Sequence, residues 1–394
     1  MRPLTRRALL HDKPATALCR SCLQRRRQFA TDAAEAAAPP RPPASGLAQL
    51  PSRRVLAVAG PDAAKFLQGI VTNNVTSSKG QPREEAFYAG FLNATGRVVH
   101  DTFIYPLPTG LAGLPTEGDG FLIEADAGQM ARFEKYIKRY KLRAKFTVKS
   151  LAPEEVSVWQ AWNDSGELNP AANERNIVFR DPRAPTMGHR ILQIGQGTPE
   201  IDLDRSDEDA YTIRRYLQGV PEGQDELLRE AALPLESNME FMGGIDFHKG
   251  CYVGQELTIR TKHRGVVRKR ILPCAIYDVD KAAPAALAYE PESASPQTLT
   301  AGMVPTETSI GRFGKRGRSA GKWIKGIGNI GLGLCRLEIM TDVVLPGEQA
   351  AATFKPEDEF VLEWGKEEGD GKSAVKVKAF VPDWLRAGLD QGQK

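Results

Sequence analysis

Apolar residues along this chain change period several times, and the changes mark its elements. Arg54-Val55-Leu56-Ala57-Val58 is a short apolar run suited to a strand. Asp62 then opens a predicted helix whose Ala63, Phe66, Leu67 and Ile70 recur at helical spacing. Ala86 to Leu92 and Arg97 to Tyr105 read as strands joined by Asn93-Ala94-Thr95-Gly96, a hairpin signal with glycine where positive φ is tolerated. Phe121 to Glu124 predicts another strand. A long helix follows from about Asp126 to Tyr140, with Met130, Phe133, Ile137 and Tyr140 on one face and basic side chains on the other. Val156 to Trp162 and Asn176 to Phe179 read as strands, and Ser206 to Gln218 as a helix with Ile213, Tyr216 and Leu217 inward. Hairpins mixed with helices, without regular βαβ alternation, predict an α+β body over residues 50–255.

After Glu256 the pattern predicts strands only: Leu257–Arg260, Val266–Ile276, Leu332–Met340, Phe360–Trp364 and Val375–Val381. A terminal β-barrel or sandwich over residues 256–394 is the natural architecture. Residues 281–325 are rich in Ala, Pro, Ser, Gly and basic side chains, and predict a disordered insertion in a barrel loop.

The length of 394 residues allows two or three domains, and 41% apolar with 26% charged residues excludes a mostly disordered or fibrous chain. No run approaches the ~18 uninterrupted apolar residues of a membrane-spanning helix. Charge changes the picture once it is divided along the chain. Residues 1–29 hold eight basic side chains and one acid, Asp12, so residues 30–394 carry a net −3 although the whole chain carries +4. The basicity belongs to the first segment, and no general nucleic-acid affinity follows from it. An Arg-rich, acid-poor N-terminus is the composition of a mitochondrial transit peptide, and Arg27-Gln28-Phe29-Ala30 resembles a matrix-protease site. Residues 1–29 are therefore expected to direct import into the mitochondrial matrix, a disordered basic tail being the plainer alternative. Residues 30–49, rich in Ala and Pro, are expected to form a linker.

Three signals carry little. Gly326-Ile327-Gly328-Asn329-Ile330-Gly331 has the letters of a dinucleotide fingerprint, but the following Leu332–Leu337 reads as a strand where a helix is needed. Cys19-Arg20-Ser21-Cys22 has zinc-knuckle spacing without a second pair. The basic run Arg312 to Lys325 fits a solvated loop better than a phosphate-binding surface.

The informative stretch is Lys249-Gly250-Cys251-Tyr252-Val253-Gly254-Gln255-Glu256. Glycines on both sides of Cys251 suggest a tight turn that presents the thiol. His248, Lys249 and His263 are expected to raise the local potential and favour thiolate, the form that ligates metals. The residues alone leave open a buried structural cysteine, the usual role of an isolated thiol.

This octapeptide, with the preceding Pro234-Leu235-Glu236 and Gly244-Ile245-Asp246-Phe247, resembles the YgfZ branch of the GcvT-like folate-binding family, whose mitochondrial members are iron–sulfur cluster assembly factors. The blocks Phe66-Leu67-Gln68-Gly69, Thr72-Asn73-Asn74, Gly90-Phe91-Leu92-Asn93, Tyr140-Lys141-Leu142-Arg143 and Tyr216 to Gly223 continue the resemblance in order. It implies a GcvT-like body of ferredoxin-like and mixed α/β subdomains, a C-terminal β-barrel, and a central channel able to accept tetrahydrofolate. It further implies Glu236 as the acid facing a pterin, Arg260 and Arg143 as partners of a glutamate tail, and Asp101 beside the one-carbon unit. Glu236 as a plain loop-end acid remains equally open. The family's aminomethyltransferases have paired aspartates where this chain has His100-Asp101, which disfavours the alternative activity of a folate-dependent aminomethyltransferase. The expected role is maturation of [4Fe–4S] client enzymes together with A-type carrier proteins, through a transient [2Fe–2S] or [4Fe–4S] cluster ligated jointly by Cys251, with His248 a further candidate ligand.

Overall fold

The computed structural model describes residues 38–77, 80–107, 119–291, 299–315, 317–345, 354–365 and 373–391. The expected transit segment and the Cys19–Cys22 pair lie outside them. The first strand, β1 (Ser45–Gln49), falls within the stretch expected to be linker. Its Leu47 and Ala48 are buried, and Trp162 Nε1 donates to the carbonyl of Pro43 (3.0 Å), so the fold begins before residue 50. The next five strands are β2 (Arg53–Ala59), β3 (Phe87–Leu92), β4 (Val98–Pro106), β5 (Gly120–Asp126) and β6 (Thr147–Ser150). They form an antiparallel sheet in the order β3-β4-β5-β2-β6.

Strand β2 is apolar on both faces because both faces are covered. Leu56 and Val58 join the cluster of α1 (Ala63–Gln68) and α2 (Met130–Lys141), while Val55 and Ala57 join that of the neighbouring sheet. Helix α2 buries Met130, Phe133, Tyr136 and Ile137, close to the predicted face. The second sheet pairs β1 with β7 (Val156–Asn163), β8 (Asn176–Arg180), β9 (His189–Ile194) and the short parallel β10 (Arg205–Ser206), in the order β10-β1-β7-β9-β8. Helix α3 (Glu208–Gln218) follows, capped by the Asp207 carboxylate, which accepts from Ala210 N (2.8 Å).

The expectation of strands alone after Glu256 is overturned first by α4 (Gln255–Arg264), which replaces the predicted strand Leu257–Arg260. A four-residue alternation is too short to decide the period. Gly254 turns the chain at φ +80°, Glu256 lies in the first turn, and Lys262, His263 and Arg264 in the last turn complement the helix dipole. The barrel itself begins at β11 (Lys269–Tyr277) and closes through β12 (Ser309–Arg312), β13 (Gly321–Ile327), β14 (Ile330–Arg336), β15 (Phe360–Trp364) and β16 (Ser373–Ala379), in the order β11-β14-β13-β12-β15-β16. After β14 the predicted strand ends in a single turn, α5 (Leu337–Met340), and the described chain ends in α6 (Asp383–Gln391).

The expected disordered insertion at 281–325 is likewise corrected. It contains β12 and most of β13, and Ile310, Ala320, Trp323 and Ile324 are buried. Excising residues 285–320 would open the barrel. The basic run is largely paired at its surface, Arg312 and Lys315 with Asp358 and Lys325 with Asp225. The fingerprint letters form the β-hairpin that joins β13 to β14, with Ile327 opposite Ile330, so a strand follows where a helix is needed.

Between the two sheets lies a buried ionic network. Arg53 on β2 donates to Glu124 on β5 (2.8 Å) and Asp101 on β4 (3.3 Å). Arg183 reaches Asp181 and Glu222 (both 2.7 Å), and Arg190 on β9 bonds Glu222 as well. Arg215 pairs with Glu226, whose carboxylate also accepts from Tyr216 and from Glu222 N. Burial opposes the Glu222 charge, but Arg190, Arg183, Arg53 and Arg215 outweigh it and hold the carboxyl well below its ordinary range.

Candidate functional site

The octapeptide forms a loop held from beneath. Lys249 turns inward, and its ammonium donates to the carbonyls of Gln68 (2.9 Å), Val71 (2.6 Å) and Asn73 (2.8 Å). All three N–H groups of the side chain are thereby used. Burial draws its pKa down to about 7, while three carbonyl acceptors favour the protonated form. Val253 N donates to Gly69 O (3.1 Å), and Tyr252 is buried. Gly254 closes the loop at φ +80°, where a Cβ would lie 2.2 Å from the carbonyl of Asn93, so no other residue fits. The Thr72-Asn73-Asn74 segment is tied to the turn before the loop: Thr72 Oγ1 donates to Gly244 O (2.6 Å) and Asn73 Nδ2 to Gly243 O (2.8 Å). Blocks that are scattered in the sequence thus build one scaffold.

On that scaffold Cys251 is exposed, whereas Cys274 and Cys335 are buried in the barrel with sulfurs 3.8 Å apart. The expected electropositive surround of Cys251 is not assembled as foreseen. Lys249 directs its charge onto backbone carbonyls, His248 is fully exposed with Nδ1 3.8 Å from Asp246, and His263 stands exposed on α4. No hydrogen bond joins any of the three to the thiol. Among the described residues no group of three or more His, Cys, Asp or Glu side chains could hold a metal ion. Gln255 accepts from Tyr252 N (3.2 Å) and so shapes the turn into α4, while Glu256 is exposed in the first turn of that helix.

The profile of the CAF17 C-terminal β-barrel domain matches residues 268–387. Over 98% of this chain and 97% of the relative, the sequence is 55% identical to the mitochondrial iron–sulfur cluster assembly factor IBA57 homolog of Pyricularia oryzae. The correspondingly named protein of Chaetomium globosum is 47% identical over 96% of this chain and 92% of its own. The chain belongs to the IBA57 family. Its fold is also that of the glycine cleavage system aminomethyltransferase T of Bartonella henselae, with a TM-score of 0.55 at 12% identity over 86% of both chains. The α+β body with a C-terminal barrel is therefore a GcvT-like fold, as the sequence blocks implied.

Within this family member the folate residues that the resemblance implies do not converge. Glu236 pairs with Lys269 (2.9 Å), Arg143 is exposed in the turn after α2 and Arg260 on α4, and Asp101 is buried against Arg53, Gly223 N and Gln224. None of the four lines either of the two large cavities beside the ionic network, of about 660 and 570 Å³. The four residues do not form a single tetrahydrofolate pocket. What the sequence did not reveal is the larger cavity itself, lined by Tyr88, Phe179, Arg183, Phe241 and Trp384, with the buried Tyr88 hydroxyl unpartnered. Its walls come from segments about 300 residues apart, so no local signal marks it.

His100, which stands where the transferases have an acid, is buried against Phe133 (ring centroids 4.5 Å apart) with Nε2 3.2 Å from Arg229. Burial, then the Arg229 charge, lowers its pKa to about 3. The unfolded imidazole protonates near 6.5 and the folded one does not, so its contribution to stability is complete above 6.5 and is lost as pH falls toward 3. His100→Gln should flatten that acid limb in denaturant midpoints measured from pH 7 to 4. An unaltered limb would show that His100 is not held neutral.

Proposed function

We propose that this chain, a mitochondrial iron–sulfur cluster assembly factor of the IBA57 family, works by lending Cys251 to a cluster whose other ligands belong to a carrier protein. The observation that carries the reading is the contrast among the described cysteines: two are sealed in the barrel, and one is presented on a loop locked by Lys249 and Gly254. A single thiolate satisfies one coordination position of an iron. Because the described residues assemble no set of three or more ligating side chains, the cluster in this reading is cargo shared across an interface.

A-type carriers in the matrix and [4Fe–4S] client enzymes downstream are the partners this reading calls for. His248, exposed beside Asp246 and three residues before Cys251, is a further candidate ligand in this reading. Tetrahydrofolate is not required by the mechanism. Anaerobic reconstitution with an A-type carrier tests the reading, followed by visible absorption and size-exclusion chromatography. A mixed complex carrying thiolate-to-iron absorption is expected. Cluster that stays wholly with the carrier, while the two proteins elute apart, would refute it.

A further inference from the structure

Helix α2 ends in a turn that a glycine would ordinarily make. Ala144 N donates to Lys141 O (2.9 Å), and Leu142 between them has φ 45° and ψ −110°. That is the backbone of the first central position of a type II′ turn, where glycine dominates. The Leu142 side chain is 90% exposed, more than any other large apolar side chain among the described residues. A strained backbone and a solvated leucine at one position bring the fold itself nothing, and such outliers gather at functional surfaces.

The surroundings are strongly basic. Residues 127–155 hold eight Lys and Arg against three acids, Glu134, Glu154 and Glu155, and residues 255–277 hold six against one, Glu256, in a body that is net negative. Lys149, Lys269 and Arg270 are paired with Glu155, Glu236 and Glu240. An ordinary solvated helix face interleaves the two signs. Here Lys138 pairs with Glu134, while Lys135, Arg143, Lys145, Arg260 and Arg264 are exposed with no ion-pair partner among the described residues. The two segments flank one hairpin: Tyr136 Oη donates to Leu92 O (2.8 Å) on the α2 side, and Gly254, at the start of α4, packs on Leu92 and Asn93. Val253 and Tyr140 pack against the same apolar cluster, which puts the Cys251 loop at the edge of this face.

We propose that the α2–α4 face docks an acidic protein surface, with Leu142 seated in an apolar pocket of the partner, and that the partner is the carrier whose cluster meets Cys251. The partner's identity rests on the function proposed above. The docking chemistry stands on the charge and on Leu142. One leucine in a ring of cations suits a rimmed pocket, whereas a lipid surface needs a broad apolar stripe. Complementary charge would steer the encounter and make it salt-sensitive.

The test is titration of a cluster-free A-type carrier into the full chain at about 50 and about 300 mM salt. Leu142→Gly should weaken Kd by about tenfold or more, with Tm unchanged or higher because glycine relaxes the turn. The Arg143→Glu, Lys145→Glu double variant should slow association and remove most of the salt dependence. Cys251→Ser should leave cluster-free docking unaltered, so failure of thiolate sharing and failure of docking are separate results. Unchanged affinity in both surface variants would overturn the proposal. So would Leu142-dependent binding to vesicles of phosphatidylcholine and cardiolipin in place of the carrier.

Discussion

Glu222→Ala is expected to cost about 3–5 kcal/mol, a large part of the roughly 5–15 kcal/mol that holds a typical domain. The carboxylate accepts from Arg183, Arg190 and Tyr211 in the space between the two sheets. Its removal leaves two buried guanidinium groups short of their counter-charge, with Arg190 Nε and Nη1 already lacking hydrogen-bond acceptors. Glu222→Gln keeps the volume and one acceptor, and should fall between the two. Urea midpoints at neutral pH measure the effect. A loss under about 1 kcal/mol, the scale of a surface pair, would show that water replaces the missing carboxylate and that the network does not join the sheets.

Cys251→Ser is expected to abolish the cluster-bearing complex while changing stability by no more than about 0.5 kcal/mol, the ordinary range for an exposed site. Serine preserves size but offers a hard oxygen in place of the soft thiolate that iron–sulfur clusters take. Cys335→Ser should give the reverse pattern. Its sulfur is buried, with hydrogen bonding to Cys274 and desolvation pushing the thiol well above its ordinary pKa. A hydroxyl there needs partners the barrel interior supplies poorly, at a cost of about 1–3 kcal/mol, with the cluster complex retained. Absorption per complex and Tm, measured on both variants, separate the roles. Full cluster sharing by Cys251→Ser would remove direct ligation and leave the loop's backbone as the partner contact.

The features legible in the sequence are those written in neighbouring residues. The β3–β4 hairpin follows from Asn93 to Gly96, where the Asn93 side chain accepts from Thr95 N and Arg97 N. Helices α2 and α3 follow from apolar spacing, whereas the glycines flanking Cys251 suggest a turn that presents the thiol but leave a buried thiol open. The ionic network was not legible, because Arg183 and Glu222 stand 39 positions apart and isolated charges read as surface. Strands β12 and β13 were hidden by a composition of Gly, Ser and basic residues. A barrel strand needs only alternate inward side chains, and Ile310 and Trp323 supply them. The folate set failed for the opposite reason: resemblance placed Glu236, Arg143 and Arg260 together, and the fold gives each a different neighbourhood. Nothing in the letters of Tyr140-Lys141-Leu142-Arg143 marks which residue takes the left-handed turn.

The inward Lys249 also bears on the speed of exchange. Three carbonyls already fix the loop before any encounter, so the ordering entropy of the thiol's surroundings is met during folding and not at the moment of docking. Under the proposed ligation, capture can then be quick although only one bond to iron is made. A site with one point of attachment also releases readily, whereas a full set of thiolates would retain its cargo. The loop's geometry therefore suits throughput rather than storage.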